Sequence, residues 1–206
     1  MRCGKRMEEN KDKAVNKLSK TELYKSIDAL LKEKEKVIVA VEGGSASGKT
    51  TLGKELKQHY ECNVFHMDDF FLRPEQRTKE RLVEIGGNVD RERFYEEVVI
   101  PLSKGETVEY RRFDCSTFSL QPPVNIEPHR LTIVEGAYST HPELGKYYDL
   151  AVFLDIDPEL QKERILKRNG SEKAERFFKE WIPMEQKYFE AFDIKEKCDI
   201  ALSYEK

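Results

Sequence analysis

The residues in this sequence best suited to chemistry are a lysine and two hydroxyls, Lys49-Thr50-Thr51, preceded by Gly43-Gly44-Ser45-Ala46-Ser47-Gly48. Gly43 to Thr50 fits G-x-x-x-x-G-K-[ST], the spacing of a phosphate-binding loop. Glycines let the backbone curl until successive N–H groups face one anion, and a helix starting behind them adds the positive end of its dipole. Lys49 then reaches the β- and γ-phosphates of a nucleotide, and the Thr50 hydroxyl reaches Mg²⁺. The plain alternative is a glycine-rich turn with a solvated lysine. The apolar run Val37–Val41 before the loop and the helix-forming segment after it favour the phosphate cradle.

A second group of candidates is acidic. Asp68 and Asp69 follow the apolar stretch Asn63–Met67, at what reads as the carboxyl end of a strand. Phosphoryl transfer to a hydroxyl needs a carboxylate that takes the proton and aligns the oxygen, and Asp68 is preferred to Asp69 for that task. A helix cap or a solvated turn is the alternative, since aspartate is common at both. Glu135 closes another apolar run, Leu131–Val134, where an acidic group can hold Mg²⁺ directly or through water. Arg164 and Arg168 lie four apart on one helical face, just before Asn169-Gly170-Ser171, with Arg176 beyond. A mobile lid there would bring guanidinium forks onto a transferring phosphate; a solvated basic face is the alternative. Tyr110, Arg112 and Asp114 could form one wall of an acceptor pocket, and Asp90 either joins them or only caps a helix. His66 reads as a core or edge histidine, and Trp181 with Phe177, Phe178, Tyr188 and Phe189 as helix packing. Cys115 has no metal-ligand companions.

The elements that must position these groups alternate in type. Leu18, Leu23, Ile27, Leu30 and Leu31 recur at helical spacing, predicting an amphipathic helix from about Lys20 to Glu35, with Thr21 as a cap. Strands are expected at Val37–Val41, Asn63–Met67, Val108–Tyr110, Leu131–Val134, Leu150–Leu154 and Asp199–Leu202. Helices are expected at Lys49–Tyr60, Asp90–Ser103, after Pro158, and from about Glu172 to Phe192. Residues 72–92 read as irregular, and Pro122, Pro123 and Pro128 as a surface excursion. Alternation of this kind predicts an α/β fold, a doubly wound parallel sheet of about five strands carrying a short lid. Residues 1–36 form a charged extension and helix, and residues 37–206 the main domain.

At 206 residues the chain is long enough for one such domain. Charged residues make up 36% and hydrophobic ones 38%, and the net charge is −3, so no global attraction to nucleic acid or anionic membrane exists. The longest apolar runs are about six residues, too short to span a bilayer. The polar start is no secretory signal. Cys3, Cys62, Cys115 and Cys198 are scattered without C-x-x-C spacing, which suits a reducing cytoplasm. Oligomeric state is left open, a homo-oligomer included. The elements N-K-x-D and D-x-x-G are absent, which argues against a GTP-dependent switch.

Three segments together resemble a family. Gly43–Thr51, His66-Met67-Asp68-Asp69-Phe70-Phe71 and Val134-Glu135-Gly136 are similar to the uridine kinase and phosphoribulokinase family of P-loop kinases, and Asp-Asp-Phe-Phe also to nicotinamide riboside kinases. The likeness runs from Val37 to Leu202 and extends to Gly87–Asp90, Tyr110–Asp114 and Glu135–Leu144, where it looks most like bacterial uridine kinase-like proteins. It implies a P-loop kinase using ATP and Mg²⁺ on a small-molecule hydroxyl. It further implies Asp68 as base, Glu135 at the metal, and Arg164 and Arg168 as lid arginines. Two segments depart from uridine–cytidine kinases: the lid, short at Asn169 to about Glu175, and the residues Arg112-Phe113-Asp114-Cys115. A nucleoside or riboside acceptor is therefore expected, with a non-nucleoside acceptor or a non-catalytic ATP-binding module as the rivals.

Overall fold

Val37-Ile38-Val39-Ala40-Val41 is apolar throughout because both of its faces are covered. A computed structural model describes residues 19–203, so Cys3, Leu18 and the charged start of the chain lie outside the described residues. Its strands are β1 (Val37–Gly43), β2 (Cys62–His66), β3 (Val108–Tyr110), β4 (Phe113–Asp114), β5 (Ser119–Leu120), β6 (Val124–Ile126), β7 (Leu131–Glu135), β8 (Leu150–Asp155) and β9 (Ile200–Ser203). Five form one parallel sheet in the order β2-β7-β1-β8-β9. The fold is α/β, with the sheet between two helical layers. Parallel strands place all their carboxyl ends on one edge, and ligands of open α/β sheets bind at that edge.

Alternation along the strands sorts side chains between two cores. Val39, Val41, Ile133, Val152 and Leu154 pack with Leu52 and Leu56 of the Lys49–His59 helix and with Leu23 and Ile27 of the Lys20–Glu33 helix. On the other face Phe65, Val134 and Phe153 meet Phe94, Val98 and Tyr188.

The first helix starts and ends slightly apart from expectation. Its cap is Ser19 rather than Thr21: the Ser19 N–H donates to Glu22 Oε2 at 2.6 Å, a bond that depends on a glutamate three residues on. It ends at Glu33. The Lys20 ammonium reaches Glu55 at 2.7 Å on the neighbouring helix.

The expected strand Val108–Tyr110 forms, and it pairs antiparallel with Val124–Ile126 in a two-stranded sheet outside the main one. Residues 72–92 contain a 3₁₀ turn at Pro74–Gln76 and a short helix at Lys79–Val83. Arg81 ties this region down through Gly87 O, Val89 O and Glu92. The expected break at Asn169-Gly170-Ser171 is one residue wide. Helix runs from Pro158 to Arg176 with Gly170 alone off it (φ 73°, ψ 166°), then through a π-helical stretch, Phe177–Trp181, into Ile182–Phe192. Among the described residues no helix is long and apolar enough to cross a membrane.

Leu23 and Ile27 are fully buried, so the first helix adds to the core. Leu23→Ala should lower the unfolding free energy by about 2–5 kcal/mol in a urea titration. A loss below about 0.5 kcal/mol, the size of a surface substitution, would show that this helix is not part of the core.

Candidate active site

The phosphate loop leaves β1 at Gly43, where φ is 142° and a Cβ would sit 2.5 Å from the Leu154 carbonyl oxygen, so only glycine fits. The Lys49–His59 helix begins behind the loop with Gly48 as its cap and no side chain satisfying its first N–H groups. Those amides and the dipole are available to an anion. Lys49 Nζ donates to the carbonyl oxygens of Gly43 and Gly44, each at 2.8 Å, which holds the ammonium across the mouth of the loop.

Glu135 ends β7, next to β1 in the sheet, and is 4% exposed. Its Oε1 accepts the Thr50 hydroxyl at 2.9 Å and lies 2.6 Å from His66 Nδ1. The contact with Glu135 raises the histidine's pKa, with Asp69 and Asp68 adding to it against the opposing effect of burial. His66 lies on the edge strand β2, as one of the expected readings had it, and its contact with Glu135 ties it to the site from outside the cleft lining.

Beyond β2 the chain turns through a 3₁₀ segment, Met67–Phe70, that presents the two aspartates in different directions. Asp68 opens onto the cleft. Partial desolvation by the cleft walls, with the charges of Glu135 and Asp69, pushes its carboxyl above the usual range against the pull of Lys49, while the residue stays exposed to solvent. Asp69 turns instead to Tyr110, whose hydroxyl donates to Asp69 Oδ2 at 2.6 Å and accepts the His66 N–H at 3.1 Å. Arg93, 5% exposed, holds the same turn by donating to Asp69 O at 2.8 Å and lying 4.1 Å over the Phe70 ring. Gly136 completes the packing: its φ is 145° and a Cβ there would be 2.6 Å from Met67 Cβ.

Lys49, Thr50, Asp68 and Glu135 line one cleft of about 480 Å³, together with Ser45, Phe71, Asn88, Tyr138, Phe177, Trp181, Met184 and Glu185. Arg164 and Arg168 also stand on its wall. Arg164 donates to Ala46 O at 3.2 Å, and Arg168 lies 5.5 Å over Phe177 and bonds Asn169. Arg176 stacks on Trp181 at 5.2 Å and pairs with Glu180, outside the cleft lining. The aromatic cluster divides: Phe177 and Trp181 face the cleft edge to face, while Tyr188 is fully buried in the core.

Several expected acceptor residues are not brought together. Asp90 is 1% exposed and caps the following helix through the Arg93 N–H. Tyr110 is buried behind Asp69. Arg112 is exposed and off the cleft, and Asp114 is bound into a hairpin turn by Ser116. Phe71, Asn88, Tyr138 and Glu185 line the cleft instead. Glu185 carried a signal in the sequence, a charge on the apolar stripe Ile182, Tyr188, Phe189. Tyr138 bears strain: a non-glycine residue with φ 74°.

The residues fit a nucleotide and Mg²⁺. The loop is a cradle that a side chain at Gly43 would fill, and Thr50 and Glu135 offer oxygen donors side by side. Among the described residues no cluster of three or more His, Cys, Asp or Glu is set for a metal. Mg²⁺ in phosphoryl-transfer sites needs only one or two protein ligands besides phosphate and water.

A family model described as phosphoribulokinase / uridine kinase matches residues 38–177. The chain belongs to that family. A uridine kinase of Geobacillus kaustophilus (strain HTA426) is 26% identical over 159 residues, covering 70% of this chain and 72% of the relative. A phosphoribulokinase of Synechocystis sp. (strain ATCC 27184 / PCC 6803 / Kazusa) is 25% identical over 149 residues, 68% of this chain but only 44% of that protein. The fold is shared with the solved structure of a possible uridine kinase from Bacillus stearothermophilus. Its TM-score is 0.63 at 22% identity, covering 88% of this chain and 99% of the other. The family's P-loop kinase fold thus carries the cleft described above.

Tyr110→Phe should cost about 1–2 kcal/mol of stability, since it removes the donor to Asp69 and the acceptor of a backbone N–H. Chemical denaturation checks this, and an unchanged midpoint would mean that the Tyr110 hydroxyl does not hold the acidic turn.

Proposed function

We propose that the chain is an ATP-dependent kinase that transfers the γ-phosphoryl group to a hydroxyl of a small molecule, with a nucleoside or riboside as the first class of acceptor. The observation that carries this reading is the meeting of Lys49, the Thr50–Glu135 pair and Asp68 in one cleft at the carboxyl edge of the sheet. A phosphate loop alone would serve any nucleotide-binding protein. A carboxylate facing the same cleft supplies what transfer to a hydroxyl needs.

The loop amides and Lys49 offset the negative charge of the phosphates, and that charge grows on the bridging oxygen as the bond to it breaks. Asp68 accepts the proton of the attacking hydroxyl and holds its oxygen toward the phosphorus, and its raised pKa strengthens it as a base. Thr50 and Glu135 would hold Mg²⁺, which when bound neutralises β- and γ-phosphate oxygens. Arg164 and Arg168 stand where lid closure would bring them onto the same phosphates. Relatives named for uridine support the nucleoside class. The phosphoribulokinase relative keeps a phosphosugar in view, and a sugar or vitamin precursor belongs to the same screen. Free thiols at Cys62, Cys115 and Cys198 fit a reducing cytoplasm.

The test is acceptor-dependent ADP release over nucleosides, ribosides, sugars, phosphosugars and vitamin precursors. Release with none of them, alongside tight ATP binding, would favour a non-catalytic nucleotide-binding protein. Asp68→Asn should lower kcat by about 10²–10⁴-fold while ATP affinity stays within a few-fold. Lys49→Ala should lower kcat by a comparable factor, because its charge acts where phosphate charge develops. Wild-type turnover in either variant would refute that residue's role.

A further inference from the structure

Ser45, at the tip of the phosphate loop, has all of its polar groups taken by side chains of two other helices. Its N–H donates to Glu185 Oε2 at 2.8 Å and its hydroxyl to Glu185 Oε1 at 2.7 Å. Its carbonyl oxygen accepts from Gln161 Nε2 at 2.8 Å. Gln161 and Glu185 are 9% and 7% exposed, so these bonds compete little with water. The next residue, Ala46, has φ 60° and its carbonyl accepts from Arg164. A left-handed backbone at an alanine costs about 1–2 kcal/mol and persists only where its surroundings impose it. The loop tip would not keep this shape by local preference. Gln161 and Arg164 come from the helix before Gly170, and Glu185 from the helix after it. The two arms that flank the kink therefore both hold the loop at Ser45.

We infer that Glu185 is a positioning residue for the nucleotide site: paired against Gln161, its carboxylate fixes the phosphate loop at Ser45 and ties the loop's shape to the lid arms. The inference rests on the kinase reading, since it assigns the clamp a purpose in nucleotide binding. The amides that face phosphate follow Ser45 in the chain, so a loop pinned at its tip presents them already ordered. Part of the entropy cost of binding is then met during folding. Hydrogen-bond geometry carries this role rather than charge. Glutamine at 185 can accept the Ser45 N–H and donate to its hydroxyl, whereas alanine can do neither.

The experiment measures amide hydrogen exchange of residues 43–48 and MgADP affinity by calorimetry, with wild type, E185A, E185Q, S45A, Q161A and the E185A/S45A pair. In E185A, exchange at 44–47 should speed up by at least about tenfold and MgADP affinity fall by about tenfold, the loss of roughly one hydrogen bond's worth of ordering. E185Q should recover most of both. Q161A should shift both in the same direction from the other side, and it keeps the test open if E185A folds poorly. The double variant should be no worse than E185A alone, since the hydroxyl bond that S45A removes is already lost in E185A. Faster exchange with unchanged MgADP affinity would overturn the positioning role and leave the kinase reading standing. E185Q as impaired as E185A would also overturn it, because charge would then be the active property. A wild-type chain that binds no MgADP would instead overturn the kinase reading, and this role with it.

Discussion

Glu42 is a carboxylate with no exposure to solvent, at the last position before the phosphate loop. It accepts the N–H groups of Gly43, Tyr138 and Thr140 at 3.0–3.1 Å, and the hydroxyls of Thr140 at 3.0 Å and Tyr188 at 3.2 Å. Burial pushes its pKa up, and the amides of Gly43 and Thr140 together with the charge of Lys49 oppose that. A buried charge is tolerated only when its lone pairs are met, so the loop after β7 and the Ile182–Phe192 helix are drawn to the end of β1. Those three elements are also the ones that carry Tyr138, Glu185 and the phosphate loop into the cleft. The geometry of the site thus depends on keeping one acid satisfied in the interior.

Most of the scaffold could be read from local pattern. Apolar runs of three to five residues, most with β-branched members, gave the central strands. The glycine spacing before Lys49 gave the loop, and single acids closing apolar runs gave Asp68 and Glu135. Each of these signals lies within one element and reflects how that element is buried. What escaped depends on pairing between distant segments. Tyr110 and Arg112 sit in a strand-like stretch, yet whether that strand joins the main sheet is decided by Val124–Ile126, across a proline-rich excursion. His66 read as a core or edge histidine and does lie on the edge strand, but nothing local says that β7 will place a glutamate beside it. Glu42 and Glu185 were charges inside apolar patterns, and such charges mark a partner elsewhere without naming it.

The acidic turn shows how two adjacent residues of one type acquire different duties. Asp69 is tied to Tyr110, and Arg93 grips the backbone of the same turn, which leaves Asp68 projecting into the cleft. The sequence alone could rank the pair but could not assign the second member, because its partner lies forty-one positions away. Cooperation of this kind makes the turn stiff, and stiffness in a base is useful where a proton must move along a set line.

Gly136 has a consequence for how such proteins diversify. Its backbone lies directly against the Cβ and N–H of Met67, so the turns that carry residues 135 and 68 pack on each other with no room for a side chain between them. The separation between Glu135 and Asp68 is therefore inherited with the fold. Residues such as Phe71, Asn88 and Met184 hang from the outer walls and can vary without altering that separation. One scaffold can then keep a constant phosphoryl-transfer ruler while its acceptor chamber drifts, as the different acceptors named for its relatives suggest.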